Sequence, residues 1–233
     1  MKLLTKILSI LALFLLDSCS SDIGEKVTGL NVIEIGSYQF DFPNDFNLVK
    51  ERGVDSYVGK IIGDSLTIRF DYGYYSNSFV ETPNEYITKE HWKMEMTYQF
   101  LEEGVTYDNS NYPKVDIIEI KAVSHNDSVF EKGVDYLAIY KRNEAKFEFQ
   151  ISLPNEIKKY KFKTDTLSGH FRKFVIANDP IEGLTGLYLK DIESYNKSMN
   201  SSLALSISTV AVTKKQQELV MKIFESVKII GEK

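Results

Sequence analysis

Ser65, in the run Gly63-Asp64-Ser65-Leu66-Thr67, the three histidines and the single Cys19 are the side chains of this 233-residue chain that could serve nucleophilic or metal chemistry. A serine hydroxyl is a weak nucleophile until a base is positioned beside it. His91, His125 and His170 stand far apart, with no second histidine or cysteine at ligand spacing, so the chain offers no zinc pattern. His91 falls on the inner stripe of a predicted helix, where a hydrogen-bonded core imidazole is expected. Asp108, Asn109, Ser110 and Asn111 could present oxygens to calcium but lack the ordered carboxylates of an EF-hand loop. A solvated loop before Pro113 is the expectation there. Tyr72, Tyr74 and Tyr75 offer contact chemistry instead. Alternation puts the first two on one face and Tyr75 on the other beside Asp71, around the gap left by Gly73. Exposed tyrosines of this kind suit a sugar, a peptide or a partner protein. Neither a metal nor a cofactor is expected.

Gly63-Asp64-Ser65-Leu66 resembles the signature of the GDSL (SGNH) esterases and lipases, which implies Ser65 as the nucleophile of an envelope esterase. In that family an Asp-x-x-His supplies the base, whereas Thr88, Ala122 and Leu167 stand three residues before the histidines here. The family's serine opens a helix, while the residues after Ser65 alternate as a strand. Gly63-Asp64 reads more simply as a two-residue hairpin turn with positive φ angles. Asp64-Ser65-Leu66, Asp127-Ser128-Val129 and Asp165-Thr166-Leu167 also look like the Asp-Ser/Thr-apolar acceptor triplet of bacterial O-glycosylation, each in a predicted turn.

Cys19 has a different context. Lys2 and Lys6 precede a run from Ile7 to Leu16 that is apolar except for Ser9, and the small residues Ser18, Cys19, Ser20 and Ser21 follow. These are the three zones of a secretory signal peptide, with an apolar run too short to span a bilayer. Leu16-Asp17-Ser18-Cys19 resembles the lipobox of bacterial lipoproteins, from which only Asp17 departs. The resemblance implies removal of residues 1–18 and acylation of Cys19, with anchoring to the bacterial cell envelope at the outer membrane. An odd cysteine in an exported chain has no intramolecular disulfide partner, and lipidation gives it a role. Two or more acyl chains would make the anchoring stable.

The mature chain would keep about 215 residues and a net charge of about −6, against −5 for the whole sequence. A mildly acidic chain without a dense Lys/Arg run lacks the footprint of a nucleic-acid binder. Aromatic residues make up 12% of the sequence, which excludes a disordered chain. Residues 19–34 read as the lipidated end and a tether, and 35–230 as a single α+β domain.

The elements that must position these residues are mostly antiparallel strands. Tyr38, Phe40 and Phe42 alternate with polar neighbours; so do Leu66, Ile68, Phe70 and Tyr72, and so do Phe147, Phe149, Ile151 and Leu153. Further strands are predicted at about 55–62, 113–123, 134–142, 159–167, 170–177, 185–190 and 203–211, with hairpins at Asn143-Glu144 and Ser168-Gly169. Thr82-Pro83-Asn84-Glu85 is a capping-box start for a helix over about 83–103, with Ile87, His91, Met94, Tyr98 and Leu101 as its apolar stripe. A second helix over about 214–226 starts at Thr213 with Gln216 in the matching position, and lays Leu219, Val220, Ile223, Phe224 and Val227 on the sheet.

An early strand ending in Pro43, a helix after the first hairpins, and a final strand, helix and short Val227 to Ile230 strand are together similar to PsbP/Mog1-like domains. That similarity implies an accessory or assembly role, with surface patches binding a protein partner or an envelope glycan and no catalytic apparatus. The rivals are the esterase at Ser65 and a sugar- or peptide-binding module at Tyr72 to Tyr75.

Overall fold

The computed structural model describes residues 29–102, 115–124, 133–142 and 144–231. In chain order, β1 (Leu30–Ile35) and β2 (Tyr38–Pro43) form a hairpin, followed by the meander β3 (Asn47–Lys50), β4 (Tyr57–Ile62) and β5 (Thr67–Gly73). Two helices follow, α1 (Pro83–Thr88) and α2 (Lys93–Glu102), and then β6 (Asp116–Ala122), β7 (Tyr136–Arg142) and β8 (Ala145–Ile151). The single turn α3 (Asn155–Lys158) leads to β9 (Tyr160–Leu167), β10 (His170–Ala177), β11 (Leu184–Asp191) and β12 (Ala204–Val210), and the chain closes with α4 (Lys214–Glu225) and β13 (Lys228–Ile229). The architecture is α+β, and every strand pairing described is antiparallel.

A seven-stranded sheet, ordered β3-β4-β5-β12-β11-β10-β9, is the platform. Small three-stranded sheets, β1-β2-β13 and β6-β7-β8, complete the fold. The first apolar core joins Phe40, Phe42, Ile68, Phe174, Leu187 and Leu205 to the helix residues Val220, Ile223 and Phe224. Helix α4 has the capping box its sequence carries: Thr213 Oγ1 accepts from Gln216 N–H at 3.3 Å, and Gln216 Oε1 accepts from Thr213 N–H at 2.8 Å. A second core gathers Trp92, Met96, Phe100, Ala138, Tyr140, Phe149 and Ile151, with Phe162 of β9 against it.

The other face of the seven-stranded sheet is covered by the chain that leaves β5. Ser76 Oγ donates to the carbonyls of Asp71 and Ala204, and Ser206 Oγ donates to the carbonyl of Asn77 at 2.6 Å. A Cβ on Gly186 would lie 2.9 Å from the Phe79 ring, so β11 has room for this ring only because position 186 has no side chain. The Val80 carbonyl then accepts from Lys173 Nζ at 3.3 Å. The segment thus crosses β12, β11 and β10 in turn, as a strap over Ser206, Gly186 and Lys173.

Lys173 has no solvent exposure, and its ammonium reaches both Glu85 oxygens, at 3.0 and 3.3 Å. Glu85 also closes the capping box of α1, where its Oε2 accepts from Thr82 N–H at 2.7 Å. Burial opposes the Glu85 charge, yet the Thr82 amide and the Lys173 ammonium hold its carboxyl below the ordinary value of 4.5. The Tyr188 ring lies under the same ammonium, and burial, with Glu85 nearby, pushes its phenol up.

Several expectations are corrected. The helix expected over 83–103 is broken: Lys89 caps α1, Glu90 has φ of 59°, and α2 starts at Lys93. The break changes the phase. Trp92, Met96 and Phe100 are buried, while Met94, Tyr98 and Leu101 are 51%, 62% and 52% exposed. Both series recur at helical spacing, and the one with the indole wins because it removes more apolar area from water. The tether read through residue 34 ends sooner, because β1 begins at Leu30 and buries Ile33 and Ile35. Gly63-Asp64 is not a two-residue turn. Residues 63–66 connect β4 to β5, closed by Gly63 N–H to the Leu66 carbonyl at 2.9 Å, and Gly63 is required because a Cβ there would meet the Phe46 ring at 2.7 Å. Ser168 and Gly169, by contrast, form a two-residue loop with φ of 47° and 80°.

Glu85→Gln leaves the buried Lys173 ammonium without its counter-charge and should cost about 2–3 kcal/mol in urea unfolding. Lys173→Met should cost less, since Glu85 keeps some access to water. Because the Glu85 value is lowered in the fold, its contribution is complete above 4.5 and is lost as pH falls through the lower folded value. Acid should therefore erase the difference between wild type and Glu85→Gln; a difference that persists unchanged at pH 2 contradicts this.

Candidate functional site

A groove of about 540 Å³ lies between α4, the β2–β3 turn and the β4–β5 turn. Phe46, Leu66, Leu219 and Ile223 give it an apolar floor, while Asp41, Asp45, Asp64 and Lys222 bring charge to its rim. Its volume lies within the range of ordinary ligand pockets.

Each wall is fixed by a bond that the local sequence supplies. Asn31 Nδ2 donates to the Phe46 carbonyl at 2.9 Å, holding the β2–β3 turn on β1. Gln216, already the capping residue of α4, donates from Nε2 to the Ser65 carbonyl at 2.7 Å and so clamps the β4–β5 turn to the helix start. At the other end of α4, Ser226 Oγ accepts from Asp41 N–H at 2.9 Å, and Lys228 pairs with Asp41 Oδ2 at 3.3 Å. The Asp64 backbone N–H donates to Asp45 Oδ2 at 3.4 Å, linking the β4–β5 turn to the β2–β3 turn, and both aspartates are exposed.

Ser65 stands on this rim, exposed, with Gln216 Nε2 at 3.5 Å from its hydroxyl. An amide cannot take the serine proton. The described histidines are engaged elsewhere: His91 Nδ1 meets Glu81 Oε2 at 2.9 Å, and the His170 ring stands edge-on to Tyr38 with centroids 5.4 Å apart. His91 is about half exposed in this pair, which corrects its expected place in the core. It sits at the α1–α2 break, where Glu81 also binds Lys89 at 2.8 Å. Burial works against the Glu81 charge, but Lys89 and His91 together hold it below the ordinary value.

The three tyrosines do not form one surface. Tyr72 faces the first core, edge-on to Tyr38 with centroids 6.0 Å apart and with its hydroxyl 3.1 Å from Ser37 Oγ. Strand β5 ends at Gly73, which is buried against Ser56, so no gap opens in the cover there. Tyr74 and Tyr75 belong to the turn beyond: Tyr74 is half-buried, its carbonyl accepting from Ser201 Oγ, and Tyr75 is exposed. Thr166 lies in β9 opposite Phe171 and not in a turn, and Asp165 is taken up in a double hydrogen bond with Arg172. Cys19, His125, Asp108 to Asn111 and the Asp127-Ser128-Val129 triplet lie outside the described residues.

Among the described residues no group of three His, Cys, Asp or Glu side chains could hold a metal ion, and no helix is long and apolar enough to cross a membrane. The groove itself escaped sequence reading because its helix wall is far in sequence from the two turns that face it, 151 positions in the case of Gln216 and Ser65. Only the capping glutamine, which had a known place at the start of a helix, could have pointed to it. No protein-family model matches the chain, and no curated protein is similar to it.

Ser65→Ala should leave hydrolysis of short acyl esters at the uncatalysed rate, as should the unaltered chain, because no base among the described residues meets the hydroxyl. Turnover by the unaltered chain that Ser65→Ala abolishes, with the fold retained by circular dichroism, would contradict the geometry.

Proposed function

We propose that this chain is a bacterial lipoprotein, exported, cleaved before Cys19 and anchored by acyl chains in the outer membrane, whose α+β domain has a non-catalytic binding or assembly role in the cell envelope. The observation that supports the non-catalytic part is the groove beside α4, concave, apolar-floored and charged at the rim, in which the one serine of esterase-like sequence context meets an amide and, among the described residues, no base. A concave, apolar-floored site of this kind suits binding and orienting a ligand.

The anchor rests on the zone order of residues 1–21. The groove gives that anchor a consequence. Gly29 lines it, only ten residues after Cys19, and an extended chain of that length reaches at most about 35 Å. The edge of the groove at Gly29 would therefore be held within that distance of the lipid surface.

The test of the anchor is metabolic labelling with a palmitate analogue in a bacterial host. The expected result is a labelled, membrane-fractionating protein, with Cys19→Ala unlabelled and released from the membrane. Label retained by Cys19→Ala refutes the assignment. Replacing Asp17 by Ala or Gly should leave the labelling site unchanged and raise the fraction processed.

A further inference from the structure

We infer that the occupant of the groove is a short extended segment of a partner protein that carries a basic side chain at one end and apolar side chains along its length. This rests on the non-catalytic binding role proposed above and names the chemistry of its partner.

Length, polarity and charge each bear on the choice. From Gln216 to Ser226 the helix wall rises about 15 Å at 1.5 Å per residue, which four or five extended residues span at about 3.3 Å each. The floor of Phe46, Leu66, Leu219 and Ile223 calls for apolar side chains between the two ends. Asp45 and Asp64 are both exposed on the rim at the Gln216 end, where the Asp64 backbone N–H meets Asp45 Oδ2 at 3.4 Å. Neither carboxylate is joined to a lysine or arginine by any ion pair found among the described residues, whereas Asp41 at the opposite end is answered by Lys228. A cation on the occupant would complete the pair at the Gln216 end.

The edge of β2 narrows the recognition further. Strand β13 pairs only with Gln39 and Tyr38, so β2 runs past its end toward the groove. There Asp41 N–H is already given to Ser226 Oγ, and Pro43 has no N–H to give. An added strand would find no amide donors on this stretch, so the segment is held by its side chains. An anionic membrane surface is disfavoured by three aspartates against the single Lys222 on the rim.

The full chain carrying Cys19→Ala is titrated by fluorescence anisotropy with labelled acetyl-Lys-Leu-Val-Leu-amide and with its counterpart bearing Glu in place of Lys. The expected result is binding of the basic peptide at least tenfold tighter than the acidic one, with the preference lost in the Asp45→Asn, Asp64→Asn double variant, whose changes sit on exposed side chains. Leu219→Glu, checked for folding by circular dichroism, should abolish both. Equal affinity for the two peptides, or a preference unaffected by the double variant, overturns the assignment. So does binding to phosphatidylglycerol vesicles with no peptide response, or concentration-dependent dimerisation that Leu219→Glu removes, since these name a lipid or a second copy as the occupant. The readout is binding, so its failure is distinguishable from failure of the anchor or of the non-catalytic reading, which acyl labelling and ester turnover decide.

Discussion

A lysine ammonium with no access to water is tolerated in a protein only where acceptors replace its hydration, and in this fold those acceptors are the Glu85 carboxylate and the Val80 carbonyl around Lys173. Much of the remaining structure follows from where they stand. Both belong to the chain that leaves β5 and crosses three strands of the seven-stranded sheet, so meeting the needs of the lysine fixes that strap in place. Glu85 is at once the ion-pair partner and the capping residue of α1. The pair therefore fixes where the helical segment starts, and that segment supplies Trp92, Met96 and Phe100 to the second core. One contact links the covered face of the sheet to a separate apolar cluster.

The opposite face is organised by α4 in a comparable manner. Its capping glutamine spends one side-chain atom on the helix start and another on the Ser65 carbonyl, so the helix and the β4–β5 turn move as one wall. Ser226, at the other end, does the same for β2. What lies between is the groove. The two faces thus differ in kind: one is closed by a strap locked on Lys173, and the other keeps an apolar floor accessible.

The strands were largely legible because their alternation is local. Tyr38, Phe40 and Phe42, or Leu66, Ile68 and Phe70, declare their face by period two, and the observed burial follows that pattern. The capping box at Thr213 and Gln216 was legible for the same reason. The helix after Thr82 was read with the wrong stripe because Ile87-His91-Met94-Tyr98-Leu101 and Trp92-Met96-Phe100 both keep helical spacing, and only the second core distinguishes them. The break at Glu90, with a positive φ on a non-glycine residue, leaves no mark in composition. Lys173 was missed because a lysine in a strand reads as solvent-facing until the strap above it is known. The groove was missed because it depends on residues 41–46, 64–66 and 216–226 meeting in space. Tyr72 continues the Leu66, Ile68 and Phe70 series, and its packing against the first core follows from the same alternation.

The central physical claim is that the strap is an integral part of the sheet, locked by Lys173 and Glu85, and that it does not open on its own. Native-state amide hydrogen exchange on the full chain tests this most directly. The Thr82 and Tyr86 amides, bonded to Glu85 Oε2 and to the Thr82 carbonyl, should exchange with the same opening free energy and denaturant dependence as the Leu187 and Leu189 amides of β11. Exchange of Thr82 and Tyr86 through a low-energy local opening, while β11 stays protected, would contradict the account and make the strap a separately mobile cover.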